Sequence, residues 1–278
     1  MSQEGANVSN YFFDVSIING TQSIEARVAY NTKTKLRDSV TMRTYDRRTH
    51  EGGVPFSRVF LPPEAPREYR DIQTLLDALR QSEKYPNSQY ARSYILSLPN
   101  ELTLEQNIEL TTQFVEKQFL NRGQCAIVAI HTNEARTEGR DTALPAVNEV
   151  KENIHTHIVV PFRGLNRSGF NLTKTDSRDT NNKRYLLTLR RDWADLQNQA
   201  YERLGRDERV SHESLAAQGI QRIPTVPLGL RVLALERKGI RTERGDQYRR
   251  IMELNRREPQ DRERDQDRDS DREPEPVR

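Results

Sequence analysis

Two short apolar runs constrain this chain more than any other feature: residues 125–132 (CAIVAIHT) and residues 154–162 (IHTHIVVPF). Each is short, rich in β-branched residues and bounded by polar segments, so both are expected to be strands of a sheet interior. Side chains alternate along a strand, which puts His155 and His157 on one face with Val159, and Ile154, Thr156 and Ile158 on the other. If the two runs pair as an antiparallel hairpin, the end of the first lies against the start of the second and His131 comes beside His155. Three imidazoles then converge. Three nitrogen ligands with one position left open are the donor set of a catalytic metal site, whereas an HxH pair alone is equally a polar patch at a sheet rim.

Around this pair, strand and helix patterns interleave. Residues 11–18 (YFFDVSII) read as a first strand, and Asn19-Gly20 as a turn. Thr21 or Ser23 can cap a helix over 22–36, with Ile24 and Val28 on one stripe and Tyr30 off it. A proline-rich stretch at 61–66 precedes a helical pattern over 71–83 carrying Leu75, Leu76 and Leu79. Residues 94–98 read as a strand ending at Pro99, and 103–120 as a helix closed by Gly123. After a Gly/Asn-rich basic loop, helical patterns resume near Trp193 and stop at Gly205. The order suits an α+β domain with a mainly antiparallel sheet. The expected organisation is a disordered N-terminus over 1–10, a sheet-containing core over 11–190, a helical extension over 191–258 and a disordered charged tail over 259–278. The tail has one apolar residue, Val277, and cannot offset its own ordering entropy.

Of the 278 residues, 44 are Lys or Arg and 41 Asp or Glu, but the tail holds 8 acids against 5 arginines. The preceding residues therefore carry 39 basic side chains against 33 acidic ones. Two blocks concentrate the excess: 162–191 with 8 basic and 2 acidic residues, and 222–257 with 10 and 4. Such blocks point to a polyanionic partner such as nucleic acid. The single cysteine, Cys125, excludes a disulfide framework or a Cys-rich zinc site. No apolar run approaches the ~20 residues of a membrane helix, and the first residues lack the order of a signal peptide, so no membrane insertion and a cytoplasmic location are expected.

Several separated stretches together resemble a plasmid mobilisation relaxase of the MobA/MobL type, a member of the HUH endonucleases. Residues 23–31 (SIEARVAYN), after the opening strand, are similar to that family's nucleophile helix, whose tyrosine matches Tyr30. Residues 45–54 (YDRRTHEGGV), 61–66 (LPPEAP) and 91–102, ending SLPNEL, resemble its next blocks. Its metal motif, a strand ending AIH and a later NPHxH, matches Ala129-Ile130-His131 and Asn153 to His157, with Ile154 in place of the proline. Residues 191–220 are similar to its helical region, so the likeness covers roughly 11–255. Two carboxylates of the family pattern are absent: Thr132 follows the first histidine where Asp is usual, and Ser93 follows Arg92 where Glu is usual. The loop between His131 and His155 is longer than usual, and its Glu134, Glu138 or Asp141 are candidate substitutes.

The resemblance implies a five-stranded HUH-type sheet flanked by helices, with the metal on its central pair of strands and a helical C-terminal extension. It implies a divalent metal ion, Mg²⁺ or Mn²⁺ or a later transition metal such as Zn²⁺, held by His131, His155 and His157. It implies Tyr30 as the catalytic nucleophile, with Tyr45 as the alternative, and a site- and strand-specific DNA endonuclease and strand transferase that leaves a 5′-phosphotyrosine link. An ordinary phenol ionises near ~10, so attack at neutral pH needs the metal or a base. The partners implied are single-stranded DNA at a transfer origin, auxiliary origin-binding proteins and the coupling protein of a secretion channel. DNA-binding candidates are Arg163, Arg167, Lys174, Lys183 and Arg184, with Phe162 or Phe170 to stack on a base. The loss of two carboxylates keeps two alternatives in play: a weakened single-strand-binding protein, and a three-histidine metal-dependent hydrolase.

Overall fold

The computed structural model describes residues 11–49, 53–85, 87–132, 154–174, 182–226 and 228–256. The expected disordered ends, the tail and the candidate carboxylates Glu134, Glu138 and Asp141 lie outside them. The described residues form two units, the first reaching to His212 and the second beginning at Glu213. In chain order the first contains β1 (Phe13–Asn19), α1 (Ile24–Thr32), β2 (Lys35–Arg37), β3 (Thr44–Asp46), β4 (Gly53–Phe60), α2 (Ile72–Ser82), β5 (Gln89–Ser97), α3 (Leu104–Gln118), β6 (Ala126–Thr132) and β7 (His155–Pro161). The short pair β8 (Leu165–Asn166) and β9 (Gly169–Phe170) and the long α4 (Lys183–Arg203) complete it.

Five strands form one antiparallel sheet in the order β1-β5-β7-β6-β4. The two apolar runs pair as the expected hairpin, His131 opposite His155 and Ala129 opposite His157. β7 is the middle strand and both its faces are covered, so every residue after His155 is buried, the polar Thr156 and His157 included. On one face Tyr94, Leu96, Ile130, Ile158 and Val160 share a core with Phe114 of α3 and Trp193 of α4. On the other, Ile127 and Val159 pack with Val28 of α1 and Leu75, Leu76 and Leu79 of α2. Val159 marks the second face as the histidine face, two positions from His157.

Local signals set the helix ends. Ser23 caps α1 by accepting from Ala26 N at 3.2 Å, and Asp71 caps α2 by accepting from Thr74 N at 2.9 Å. A capping box of Thr103 and Gln106 opens α3. Residue 190/191, the expected end of the core, falls inside α4, which runs unbroken and buries Leu189 and Trp193 in the same core. The second unit contains α5 (Gly229–Arg237) and α6 (Glu243–Arg256), joined by the Glu236 carboxylate, which accepts from Thr242 N at 2.7 Å and Arg249 Nη1 at 2.9 Å. A Cβ at Gly245 would displace that carboxylate. Among the described residues no helix is long and apolar enough to cross a membrane.

Candidate active site

His131, His155 and His157 each offer a ring nitrogen, and these atoms lie within 4.8 Å of one another. The ring centroids are 5.2 Å apart for His131 and His155, 4.5 Å for His131 and His157, and 5.0 Å for His155 and His157. Three nitrogens each about 2.1 Å from one tetrahedral ion are about 3.4 Å apart, so binding draws the rings together by up to about 1.4 Å. His131 and His157 are buried and His155 is half-buried. Burial, reinforced by His131, His155, Arg27 and Lys33, pushes the His157 imidazolium down to about 3. Burial also lowers His131. Both rings are therefore neutral at physiological pH, with lone pairs free for a metal.

The sheet alone does not orient these rings. His131 Nε2 lies 2.5 Å from the main-chain oxygen of Asn31 in α1. A carbonyl only accepts, so this contact places the proton on Nε2 and leaves Nδ1 as the lone-pair nitrogen. The buried Nδ1 of His157 meets no partner among the described residues, an orphaned nitrogen that an ion in the cluster would satisfy. Three converging imidazoles, one with an orphaned lone pair, fit a divalent transition metal.

Tyr30, one residue before Asn31, is in the last turn of α1, and its ring centroid is 6.5 Å from that of His131. It is 41% exposed, so its ring is reachable from solvent while bordering the cluster. The Lys33 ammonium lies 4.7 Å from the centre of the same ring. Lys33 caps α1 in a left-handed conformation, φ 52°, and burial followed by the charge of Arg47 lowers its pKa. Tyr45, the alternative nucleophile, packs against the core on the α1/α2 side.

The residues that lack the family's carboxylates are in place: Thr132 pairs with Gly53 at the end of β6, and Ser93 is buried opposite Val159. Among the described residues the cluster contains no carboxylate.

The five DNA-binding candidates divide. Lys183 and Arg184 are exposed in the first turn of α4. Arg167 is exposed and paired with Glu64. Lys174 donates to Gln89 O at 2.6 Å and lies 3.3 Å from Glu83. Arg163 is 7% exposed, with its guanidinium committed to Glu83 at 2.9 Å and to the carbonyls of Asn171 and Leu172. That guanidinium holds the segment after β7 against the end of α2. Phe162 is buried under Arg92 and not available to a base, and Phe170 is stacked on Tyr69. Spacing missed Asn31 and Lys33; the only sequence signal for either is adjacency to Tyr30 on one helix.

Comparison with known proteins fits this geometry. The chain is 30% identical over 198 residues to mobilization protein A of Escherichia coli, a match covering 66% of this chain and 25% of that protein. It is 27% identical over 265 residues to conjugal transfer protein TraA of Agrobacterium fabrum, covering 83% of this chain and 22% of that one. The chain thus spans about a quarter of the length of these relatives. A solved structure described as "Molecular Basis of Vancomycin Resistance Transfer in Staphylococcus aureus" superposes with a TM-score of 0.62 at 27% identity, covering 74% of this chain and all of the solved one. A family model matches residues 22–238, a span that takes in Tyr30 and all three histidines, and the chain belongs to the MobA/MobL family.

Proposed function

We propose that the protein is a relaxase: it cuts one DNA strand at a plasmid transfer origin with Tyr30 as nucleophile, and later rejoins the strand. The observation that carries the reading is the joining of nucleophile helix and histidine cluster, Asn31 O on His131 Nε2 with the Tyr30 ring 6.5 Å away. The phenol oxygen bonds to phosphorus, the bond to the 3′-oxygen breaks, and the phenol proton ends on the 3′-hydroxyl. The 5′-phosphate stays on tyrosine, so the phosphodiester energy is kept and rejoining needs no ATP. His131, His155 and His157 would hold a divalent ion, which would supply Lewis-acid stabilisation of charge on the scissile phosphate. Lys33 places a second positive charge beside the phenol ring, where negative charge develops during attack. Arg27 and Lys33 together make the site attractive to a phosphodiester.

In the same reading the protein acts in the cytoplasm of a donor bacterium with auxiliary origin-binding proteins, and passes with the strand through a channel served by a coupling protein. The names of the relatives, mobilization protein and conjugal transfer protein, support this setting. Thr132 and Ser93, standing where carboxylates are usual, favour a second reading, a DNA-binding protein with weakened chemistry.

The test is incubation with a supercoiled plasmid carrying the protein's own origin and Mn²⁺, followed by a denaturing gel. A protein-linked 5′ end that disappears in Tyr30→Phe and persists in Tyr45→Phe is expected. Binding without a nick means the second reading. A free 5′-phosphate that survives Tyr30→Phe means a three-histidine hydrolase that uses water.

A further inference from the structure

On the sheet face opposite the histidines, β1, β5 and the start of α4 border a half-open cavity of about 270 Å³. Its walls are Val15, Ile17, Leu186 and Leu189 with the rings of Tyr94 and Tyr185. Its polar lining is Arg92, Lys183 and Asn182, and no lining residue is acidic.

Three observations point to an anion here. Arg92 is 7% exposed, and its Nη2 is buried with no hydrogen-bond partner among the described residues. Its guanidinium lies over the Phe162 ring at 4.4 Å, a contact that holds it in place but accepts no hydrogen bond in the guanidinium plane. A buried guanidinium with an unfilled donor costs stability unless something supplies an acceptor.

Next, α4 is 21 residues long and points its N-terminus at this cavity's mouth, where Asn182 accepts from Tyr185 N at 2.8 Å. The N–H groups of Lys183 and Arg184, in the first turn, have no acceptor within the helix. Finally, those first two positions are both basic and the first turn has no acid. Cations at the positive end of a helix oppose its dipole, and a bound anion relieves that conflict.

The apolar remainder narrows the ligand. Bare phosphate has no use for four aliphatic side chains, whereas a nucleotide does: its phosphate suits the cations and the N–H groups at the start of α4, and its sugar and base suit the apolar walls. The volume, at the small end of ligand pockets, suits one nucleotide unit and not a run of them. We infer that this cavity binds a single nucleotide through its phosphate, at a site separate from the histidine cluster. The nucleotide is either free or the end of a DNA strand, and the phosphate chemistry is the same for both.

The test is titration of the metal-free full chain, followed by amide and arginine Nε NMR signals, with thymidine 5′-monophosphate, thymidine, inorganic phosphate, and a short oligothymidylate with or without a 5′-phosphate. Thymidine 5′-monophosphate is expected to shift the signals of residues 183–186 and of Arg92 Nε, with thymidine and inorganic phosphate each about 10-fold weaker or more. Shifts with the 5′-phosphorylated oligonucleotide as well identify a strand end; shifts with the mononucleotide alone identify a free nucleotide. Lys183→Glu, at an exposed position, is expected to weaken binding about 10-fold with a melting temperature that does not fall, since Glu suits a helix N-terminus, and Arg92→Met to abolish binding. Tyr30→Phe binds like the wild type, so a failed nicking assay leaves this result standing. Silence at residues 183–186 with every phosphate probe, equal affinity in Lys183→Glu, or inorganic phosphate binding as tightly as the mononucleotide would each overturn the inference.

Discussion

Lys33 combines two roles that a single substitution can separate. As the C-cap of α1 it holds a left-handed backbone, φ 52°, that costs an L-residue about 1 kcal/mol and costs glycine little. As a cation 4.7 Å from the Tyr30 ring centre, it would stabilise the charge that forms if Tyr30 attacks as proposed. Lys33→Gly is therefore expected to raise stability by about 0.5–1 kcal/mol and to slow adduct formation about 10-fold at pH 7. Urea unfolding and single-turnover gels measure the two effects, and a faster or unchanged adduct rate would remove Lys33 from the chemistry. Neither Lys33 nor Asn31 was legible from the sequence, because their roles depend on a helix end meeting a strand about a hundred residues away. The histidines were legible, since strand alternation and hairpin register alone bring His131 beside His155. Tyr30 was legible only through the family resemblance, as nothing in its spacing distinguishes it among ten tyrosines.

At the scale of elements, α1 is held to α2 by a buried ion cluster. Arg80 donates from Nε and Nη2 to Glu25 at 2.8 and 2.7 Å, from Nη2 to Asp38 at 3.1 Å, and from Nη1 to the Tyr90 hydroxyl at 3.0 Å. Glu25 and Asp38 are almost wholly buried, so the cluster sets the approach of the Tyr30 helix to the sheet through charges that have no access to water. Arg80→Leu leaves two carboxylates uncompensated and is expected to cost about 3–5 kcal/mol, read by urea unfolding. A loss under 1 kcal/mol would mean the cluster does not hold α1. Burial raises the Asp38 pKa, but the N–H groups of Thr41 and Val40 and the charge of Arg80 outweigh it, so the folded value is below the ordinary one. The stabilisation is thus complete above the ordinary carboxylate range near ~3.9 and is lost as pH falls through the lower folded value. Asp38→Asn is expected to flatten the fall of stability below about pH 4. Among elements, α2 and α3 were legible to within a residue or two from capping residues and leucine spacing. In contrast β4 was not, because GVPFSRVF is a half-exposed edge strand in which Gly53 and Pro55 mask the alternation. The first five residues of β5 were missed for a related reason: Arg92 and Ser93 are polar but buried, so alternation of polarity does not report their burial.

For the molecule as a whole, the histidines join the two middle strands of the sheet, β6 and β7, and through Asn31 they reach α1. A ligand that binds the folded protein alone stabilises it by RT ln(1 + [L]/Kd), about 2.7 kcal/mol at 100 times Kd. For a unit of this size each kcal/mol raises the melting temperature about 2–4 °C, so saturation with a tightly bound ion is expected to raise it about 5–10 °C over the EDTA-treated protein. Three imidazoles bind later transition metals more tightly than Mg²⁺, so the increase at equal concentration is expected to follow Zn²⁺ over Mn²⁺ over Mg²⁺, whichever ion supports nicking. The low His157 value of about 3 means that protons do not compete at that ring near neutrality. His131→Ala and His157→Ala are each expected to abolish the metal-dependent increase, while Tyr30→Phe retains it in full and loses only the covalent product. Scanning fluorimetry with and without metal separates these cases. An equal increase in His157→Ala would mean that the ion binds elsewhere, and the histidine cluster would then be a polar seam between two strands with no metal to hold.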